Sequence, residues 1–278
     1  MTRRQLLGLA TSSLLPLGCG KPTPAVPAKP RKKGLCLTSK NRTSQEVRHF
    51  LEAVDAAWTY NWNIDPVIDL PANIEYVPMI YQARSGLDQK IARMLAQAPP
   101  RGYSALLGLN EPDAKSQGNT TVEQALDAWP KLEATGLRLG SPGCVHPDNE
   151  WMIAFMKGVA QRGLRVDFIC MHSYGGPGVE SLLKRIEKVH EMFQRPIWIT
   201  EFAVADWKAK SAAENRFSAE RVAEFVNAIV PKLDAMDAVE RYTWFHGGVS
   251  GGPLASSQLF HPDGSLTIVG EAYRNAKA

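Results

Sequence analysis

The 278-residue sequence has few cysteines, little net charge and no long hydrophobic run. Four cysteines are too few for a small disulfide-knotted fold, and a hydrophobic content of 44% is too high for a disordered chain. The most apolar segment, residues 6–17, is shorter than the roughly 20 residues that a membrane-spanning helix needs. These absences leave a globular protein whose length suits one large domain or two modest ones.

The net charge of +4 is concentrated at the N-terminus. Seven of the 32 basic residues precede Gly34 and the first acidic residue is Glu46, so the remaining chain holds 25 basic and 28 acidic residues. A nucleic-acid partner is held by clustered Lys and Arg side chains. The slightly acidic body therefore predicts no nucleic-acid binding.

Residues 1–19 have the pattern of an export signal. Arg3 and Arg4 precede an apolar stretch, as in bacterial twin-arginine signals, and the segment ends in small residues. Leu17-Gly18-Cys19 resembles the end of a lipoprotein signal, with Pro16 where leucine is usual, so Cys19 is the candidate lipidation site. We expect a periplasmic, envelope-anchored or secreted protein.

The composition of residues 20–33 predicts a tether between that signal and a folded domain. The segment contains four prolines and almost no large apolar residue. Proline fixes φ and removes a backbone donor, which favours an extended chain. The predicted domain boundaries are therefore 1–19, 20–33 and 34–278, with a possible membrane tether through the N-terminal lipid.

From Gly34 onward, short β-branched or apolar runs alternate with longer segments of helical period. This order is typical of parallel strands joined by helices, and about 245 residues suit a single (β/α)8 TIM-type barrel. The predicted strands are 34–38, 56–61, 75–80, 105–109, 138–141, 166–171, 197–200 and 241–245. The predicted helices are 44–54, 88–98, 122–134, 150–161, 179–193, 218–236 and 269–275. An open doubly wound sheet would favour a glycine-rich loop after its first strand, and residues 36–40 contain no glycine, so no nucleotide cofactor is expected.

Two predicted strands end in a glutamate. Glu111 follows the strand at 105–109, and Glu201 follows the strand at 197–200. The C-terminal strand ends of a barrel form its active-site face, so both carboxylates should lie at one mouth. Such a pair can cleave a glycosidic bond, with retention if the groups are about 5 to 5.5 Å apart and inversion at about 6.5 to 9.5 Å. Sequence spacing leaves that choice open.

Four ordered motifs resemble the Asl1-like glycosyl hydrolase catalytic core, glycoside hydrolase family 128, from about Gly34 to Ala278. They are Gly108-Leu109-Asn110-Glu111-Pro112-Asp113, Met171-His172-Ser173-Tyr174-Gly175-Gly176, Ile199-Thr200-Glu201-Phe202-Ala203 and Tyr242-Thr243-Trp244-Phe245. The resemblance implies a retaining barrel enzyme acting on β-1,3-glucan, with Glu111 as acid/base and Glu201 as nucleophile. Tyr81 and Ser173 stand where tryptophan is expected in many relatives, which leaves open hydrolysis of a different β-glycan.

Several side chains near these glutamates are candidates for substrate binding. The resemblance implies that Asn110 hydrogen-bonds a sugar hydroxyl. Tyr174 and His172, at the end of the sixth strand, should lie beside Glu201. Trp244 is predicted to be a flat platform for a pyranose ring, with barrel core as the alternative.

The second and third strands end in further candidates that could line sugar subsites. These are Tyr60, Asn61, Trp62 and Tyr81. The histidines and cysteines show no paired ligand spacing, so we expect no metal and no other cofactor. We expect a monomer that binds a β-glucan or related polysaccharide. The rival interpretation is a non-catalytic carbohydrate-binding surface lipoprotein, although a binder would need neither glutamate.

Overall fold

The computed structural model describes residues 31–38, 42–66, 70–96, 102–246 and 251–276. The export signal, Cys19 and most of the predicted tether lie outside the described residues. No helix within these ranges is long and apolar enough to cross a membrane.

Eight strands and seven α-helices follow one another in the described chain. The strands are β1 (Lys33–Leu37), β2 (Trp58–Tyr60), β3 (Glu75–Tyr76), β4 (Ala105–Leu106), β5 (Arg138–Leu139), β6 (Ile169–Gly175), β7 (Ile197–Val204) and β8 (Val239–His246). The helices are α1 (Ser44–Ala53), α2 (Leu87–Ala96), α3 (Val122–Glu133), α4 (Glu150–Arg162), α5 (Val179–Phe193), α6 (Ala219–Ala235) and α7 (Ile268–Asn275). Two 3-10 helices, Ala212–Glu214 and Gly252–Ser257, lie in the connections.

The strands form a parallel ring. Six of them pair in the order β3-β2-β1-β8-β7-β6, and β4 pairs with β5. Parallel bridges between Met79 and Leu107 and between Gly140 and Phe168 join β3 to β4 and β5 to β6. The predicted (β/α)8 barrel is confirmed.

The strand alternation produces two apolar layers. One set of side chains fills the inside of the ring and includes Cys36, Trp58, Met79, Phe168 and Trp198. Their neighbours in sequence face outward and pack under the helices in a larger core. Period-two alternation is the direct cause, since successive side chains of a strand point to opposite faces.

Helix caps fix where several helices begin. The Thr43 and Thr121 side chains each accept a hydrogen bond from the third helical residue, which returns one to the capping residue, and Ser218 caps α6. No helix occurs in the described part of the connection between β2 and β3, as its prolines predict.

The predicted tether extends too far. Lys33 begins β1, and Lys32 and Lys33 are both buried. Their ammonium groups donate to backbone carbonyls, Lys32 to Leu233 and Met236 at the end of α6 and Lys33 to residues of α7. Helix C-termini leave such carbonyls without intrahelical partners, so the two lysines belong to the fold.

Candidate active site

Glu111 lies at the C-terminal mouth of the barrel, just beyond β4. Its φ is +37°, a left-handed conformation that costs energy for a non-glycine residue. The surrounding backbone holds it there: the Glu111 amide donates to the Gly143 carbonyl at 2.7 Å, and its own carbonyl accepts from Ala114 and Gly118. The loop thus turns away from the strand while the carboxylate stays in the mouth.

Glu201 reaches the same mouth through an irregularity in β7. Met171 pairs with Ile199, but His172 pairs with Glu201, so Thr200 is an extra residue between them. Simple alternation from the inward-facing Trp198 would turn Glu201 outward. A bulge re-aims the side chains that follow it, and here it directs Glu201 into the barrel mouth.

Three donors converge on the carboxylate of Glu201. Tyr60 Oη and Trp62 Nε1 donate to Oε1 at 3.1 and 2.8 Å, and Tyr174 Oη donates to Oε2 at 2.5 Å. Burial, followed by the charge of Glu201, raises the pKa of both tyrosines well above the ordinary value, so both keep their donor protons. The carboxylate is 6% exposed and held by neutral donors that stabilise negative charge.

His172 lies between the two glutamates. Its Nδ1 is 2.9 Å from Glu111 Oε1 and its Nε2 is 3.4 Å from Glu201 Oε1. Burial favours neutral imidazole, but the charge of Glu201 and the hydrogen bond and charge of Glu111 outweigh it and raise the pKa of His172. Gly143 makes room for this ring, because a Cβ at that position would lie 2.8 Å from Nε2.

The two carboxylates have unequal surroundings. Glu201 accepts from three neutral donors besides facing His172, whereas the side chain of Glu111 hydrogen-bonds only His172 among the described residues and is more exposed, at 14%. Two carboxyl groups at one pH can differ in protonation only if their environments differ. The two carboxylates are therefore not equivalent: Glu201 is held among donors, and Glu111 is the more exposed of the two.

The spacing of the pair is compatible with direct attack by one carboxylate. One oxygen of each carboxylate and a nitrogen of His172 all lie within 4.8 Å of one another. Retaining enzymes hold their two carboxyl groups about 5 to 5.5 Å apart, closer than the about 6.5 to 9.5 Å of inverting enzymes.

These three side chains could also be considered as metal ligands, since each offers a ligand atom. The donor chemistry fits an ion poorly, because Tyr60, Trp62 and Tyr174 all direct protons at Glu201, the group that a cation would need. The arrangement suits proton transfer and nucleophilic attack.

A cleft of about 630 Å³ opens over the pair. Of the predicted binding residues, Asn110, Trp62, Tyr81 and Tyr174 line it, and His172 lies beneath the carboxylates. The Asn110 Oδ1 atom is buried without a hydrogen-bond partner among the described residues, so it is free to accept from a ligand hydroxyl.

Trp244 is not the predicted sugar platform. It is 0% exposed in the outer core, and its indole donates to the Ser257 carbonyl at 2.9 Å. The reason is strand phase: Trp244 pairs with the outward-facing Leu35, and Phe245 pairs with the inward-facing Cys36. Phe245 is consequently the residue that lines the cleft.

The prediction for Asn61 is also wrong. Its side chain does not line the described cleft; it accepts from Tyr76 Oη at 2.5 Å and donates to the Asp65 carbonyl at 3.2 Å. It follows the inward-facing Tyr60 by one residue, so alternation turns it away from the mouth. Asn61 holds the loop that presents Trp62.

Sequence reasoning missed several cleft residues that lie outside the four motifs. Trp207, 64% exposed on the loop after β7, stands edge-to-face against Tyr174. Gln117 accepts a hydrogen bond from Tyr81, and Arg185 enters from α5. Loop residues and outward helix positions carry no periodic signal that marks a cleft.

Comparisons with known proteins agree with this geometry. Residues 34–273 match the family described as the glycosyl hydrolase catalytic core. The chain belongs to this family, and the site and fold are those of a glycoside hydrolase.

Among solved structures, the fold is similar to an endo-β-1,3-glucanase of glycoside hydrolase family 128, subgroup I, from Amycolatopsis mediterranei. The identity is 36%, the TM-score is 0.74, and the match covers 88% of this chain and 99% of that one. That enzyme has been solved with laminarioligosaccharides and with one or the other of two glutamates replaced. A subgroup II endo-β-1,3-glucanase from Sorangium cellulosum is 25% identical, with a TM-score of 0.73 and coverage of 89% and 99%.

A curated relative extends the comparison to a longer protein. Alkali-sensitive linkage protein 1 of Schizosaccharomyces pombe is 30% identical over 227 residues, which are 78% of this chain and 39% of that protein. The chain thus spans about two-fifths of the length of this relative.

Proposed function

We propose that the protein is a retaining endo-β-1,3-glucanase in which Glu201 is the nucleophile and Glu111 the acid/base. The observation that carries the proposal is the unequal pair: three neutral donors surround Glu201, while Glu111 faces only His172, and the two carboxylates are within 4.8 Å. The choice of glucan is supported by the laminarioligosaccharides bound to the similar enzyme from Amycolatopsis mediterranei.

The geometry suggests two displacement steps. A Glu201 oxygen attacks the anomeric carbon while the bond to the leaving sugar oxygen breaks, and Glu111 gives its proton to that oxygen. Water then attacks the same carbon, Glu111 takes the water proton, and the Glu201–sugar bond breaks to restore the carboxylate. Tyr60, Trp62 and Tyr174 keep the Glu201 oxygens in place in both steps.

Aromatic walls supply the binding surface that a polysaccharide needs. Trp62, Tyr81, Trp207 and Phe245 line the cleft beside the carboxylates. Flat apolar rings pack against the C–H faces of pyranoses, and Tyr and Trp add a polar atom for hydroxyls. These walls compensate in part for Ser173, where the resemblance predicts tryptophan.

We also propose that the enzyme acts outside the cytoplasm, anchored through Cys19 or released. The support is the sequence of residues 1–33, with paired arginines, an apolar stretch and a proline-rich tether. Cell fractionation, with labelled fatty acid supplied to native and Cys19→Ala protein, tests both parts.

Hydrolysis of a panel of β-glucans by the native protein and by Glu201→Gln tests the central proposal. We expect native protein to release oligosaccharides from β-1,3-glucan with the β-anomer appearing first, and the variant to lose activity by a factor on the order of 10⁴ or more. Glu240→Gln is the matched control, because Glu240 lies at the opposite end of the barrel and pairs with Arg138.

Three results would contradict the proposal. Initial release of the α-anomer would mean inversion, and sustained cleavage by Glu201→Gln would remove that residue from the nucleophile role. Tight binding of glucan without any cleavage by the native protein would favour the non-catalytic carbohydrate-binding alternative.

A further inference from the structure

Arg185 brings a positive charge into a cleft that otherwise suits a neutral sugar chain. It is carried by α5, and among the described residues that line the cleft it is the only Lys or Arg. Its side chain is 25% exposed. The catalytic mechanism makes no use of it, since neither Glu111 nor Glu201 contacts it in the described structure.

The contacts of Arg185 leave donors facing outward. Its Nη2 lies 2.9 Å from His146 Nδ1. Guanidinium can only donate, so Nδ1 is the acceptor and the imidazole proton is on Nε2. Arg185 Nε and Nη1 make no hydrogen bond to another described residue. The Arg185–His146 pair therefore presents N–H donors and no acceptor to the cleft.

The charge of Arg185 is only partly balanced by neighbouring acids. Asp148 Oδ1 is 3.9 Å from Arg185 Nη2, whereas Asp148 Oδ2 is 2.6 Å from Lys188 Nζ. Burial lowers the pKa of Arg185, and Asp148 opposes this only in part. A partly buried cation whose acidic neighbour is shared with Lys188 gains more from an anion than from a neutral hydroxyl.

Arg185 also borders a second, smaller cavity. A second cavity of about 180 Å³ shares Tyr174 and Arg185 with the main cleft. Its other walls include Ser173 and Ser181, whose hydroxyls are further donors.

We propose that Arg185 and His146 form a subsite for an anionic substituent, a carboxylate or a phosphate ester, carried by the glycan substrate. The inference rests on the proposed glucanase function and narrows its substrate class to β-glucans that bear acidic groups. Carboxylate and phosphate oxygens accept several N–H donors at once, which matches a guanidinium flanked by an imidazole N–H.

The test compares kcat/KM for neutral, carboxymethylated and phosphorylated β-1,3-glucan oligosaccharides of one length. In Arg185→Gln we expect the ratio of anionic to neutral kcat/KM to fall about tenfold, the effect of losing one charge-assisted hydrogen bond. The native preference for the anionic oligosaccharide should also weaken between low and high NaCl concentration.

Lys184→Gln is the matched control. Lys184 lies on the same helix, is exposed and does not line the cleft. We expect this variant to keep the native ratio, since a surface charge is screened by salt and water. Circular dichroism of both variants establishes that the fold is intact.

Calorimetric binding of the same oligosaccharides to Glu201→Gln, with and without Arg185→Gln, separates this inference from the proposed function. If the native protein cleaves no glucan, the proposed function fails, and the ratio of dissociation constants still decides the subsite. A loss in the anionic ratio for only one substituent identifies which anion is taken. Equal losses on neutral and anionic oligosaccharides, or the same change in Lys184→Gln, would overturn the inference.

Discussion

The two ends of the barrel use charge in opposite ways. At the N-terminal end of the strands, the Arg241 guanidinium donates to Glu75 at 2.7 Å and stacks over the Trp198 ring at 4.2 Å. Beside it, Arg138 pairs with Glu240, which also accepts from the Trp198 indole. Each acid there has a basic partner.

At the C-terminal end, two acids lie within 4.8 Å with only His172 between them. Neither carboxyl group contacts a Lys or Arg side chain among the described residues, so burying them gains less folding free energy than burying a paired acid does. The difference indicates that one end of the barrel is built for stability and the other for chemistry, as is general for this fold.

Replacing Glu111 by Gln should disturb the functional end strongly and leave the stable end intact. We expect kcat/KM on β-1,3-glucan to fall roughly 10³-fold, because the leaving oxygen no longer receives a proton. On a dinitrophenyl glycoside the glycosylation step should be nearly preserved, since that leaving group needs no proton. Steady-state and burst kinetics on both substrates measure this difference.

Glu75→Gln, at the opposite end, is the control for Glu111→Gln and should show the reverse pattern. It should keep activity and lose stability in urea unfolding, because it weakens the pair with Arg241. Equal kinetic losses of Glu111→Gln on the two substrates would argue against proton donation by Glu111.

Two ion-paired arginines at the stable end, Arg241 and Arg138, differ in how deeply they are buried. Arg241 is 19% exposed and stacks on two tryptophans, so Arg241→Met should lower the free energy of unfolding by about 2–3 kcal/mol. Arg138 is 47% exposed, and Arg138→Met should cost less than about 1 kcal/mol. Urea unfolding measures both, and a larger cost at Arg138 would mean that burial does not decide which pair matters.

Much of this fold could be predicted because each helix carries its own signals. The predicted helix at 179–193 has the observed bounds of α5, since its apolar positions follow the helical period and Gly178 precedes it. The strands were harder to bound: β4 and β5 contain two residues each, because isolated bridges replace regular ladders around that part of the ring.

The catalytic pair could be predicted because barrel topology alone places strand ends together. Strand alternation does not predict that the Glu201 side chain points into the mouth. Without the extra residue Thr200, alternation would turn Glu201 outward. A bulge leaves no mark in hydrophobic pattern. Because the sequence does not fix the phase of β8, Trp244 was predicted to line the cleft where Phe245 does. Arg185 lies on a helix, and no local sequence pattern indicates that its side chain lines the cleft.

His246 gives the smallest effect and tests whether the functional end is also the pH-sensitive end. It ends β8, is 4% exposed, and faces Arg42, whose Nη2 lies 3.2 Å from its Nε2. Burial, reinforced by the charge of Arg42, lowers the pKa of His246 to about 3. The folded state therefore holds neutral imidazole at pH values where the unfolded chain binds a proton.

The sign of the pH effect follows from this difference in proton binding. The stabilising contribution of neutral His246 is complete above the unfolded pKa of about 6.5 and is lost as pH falls toward the folded value. The free energy of unfolding changes by up to about 1.4 kcal/mol per pH unit through this one group.

In urea unfolding between pH 7.5 and 4, His246→Gln should show a shallower loss of stability than native protein. Parallel curves for native protein and His246→Gln would show that proton uptake by this histidine does not limit acid stability, and the contrast between the two ends would then rest on the carboxylates alone.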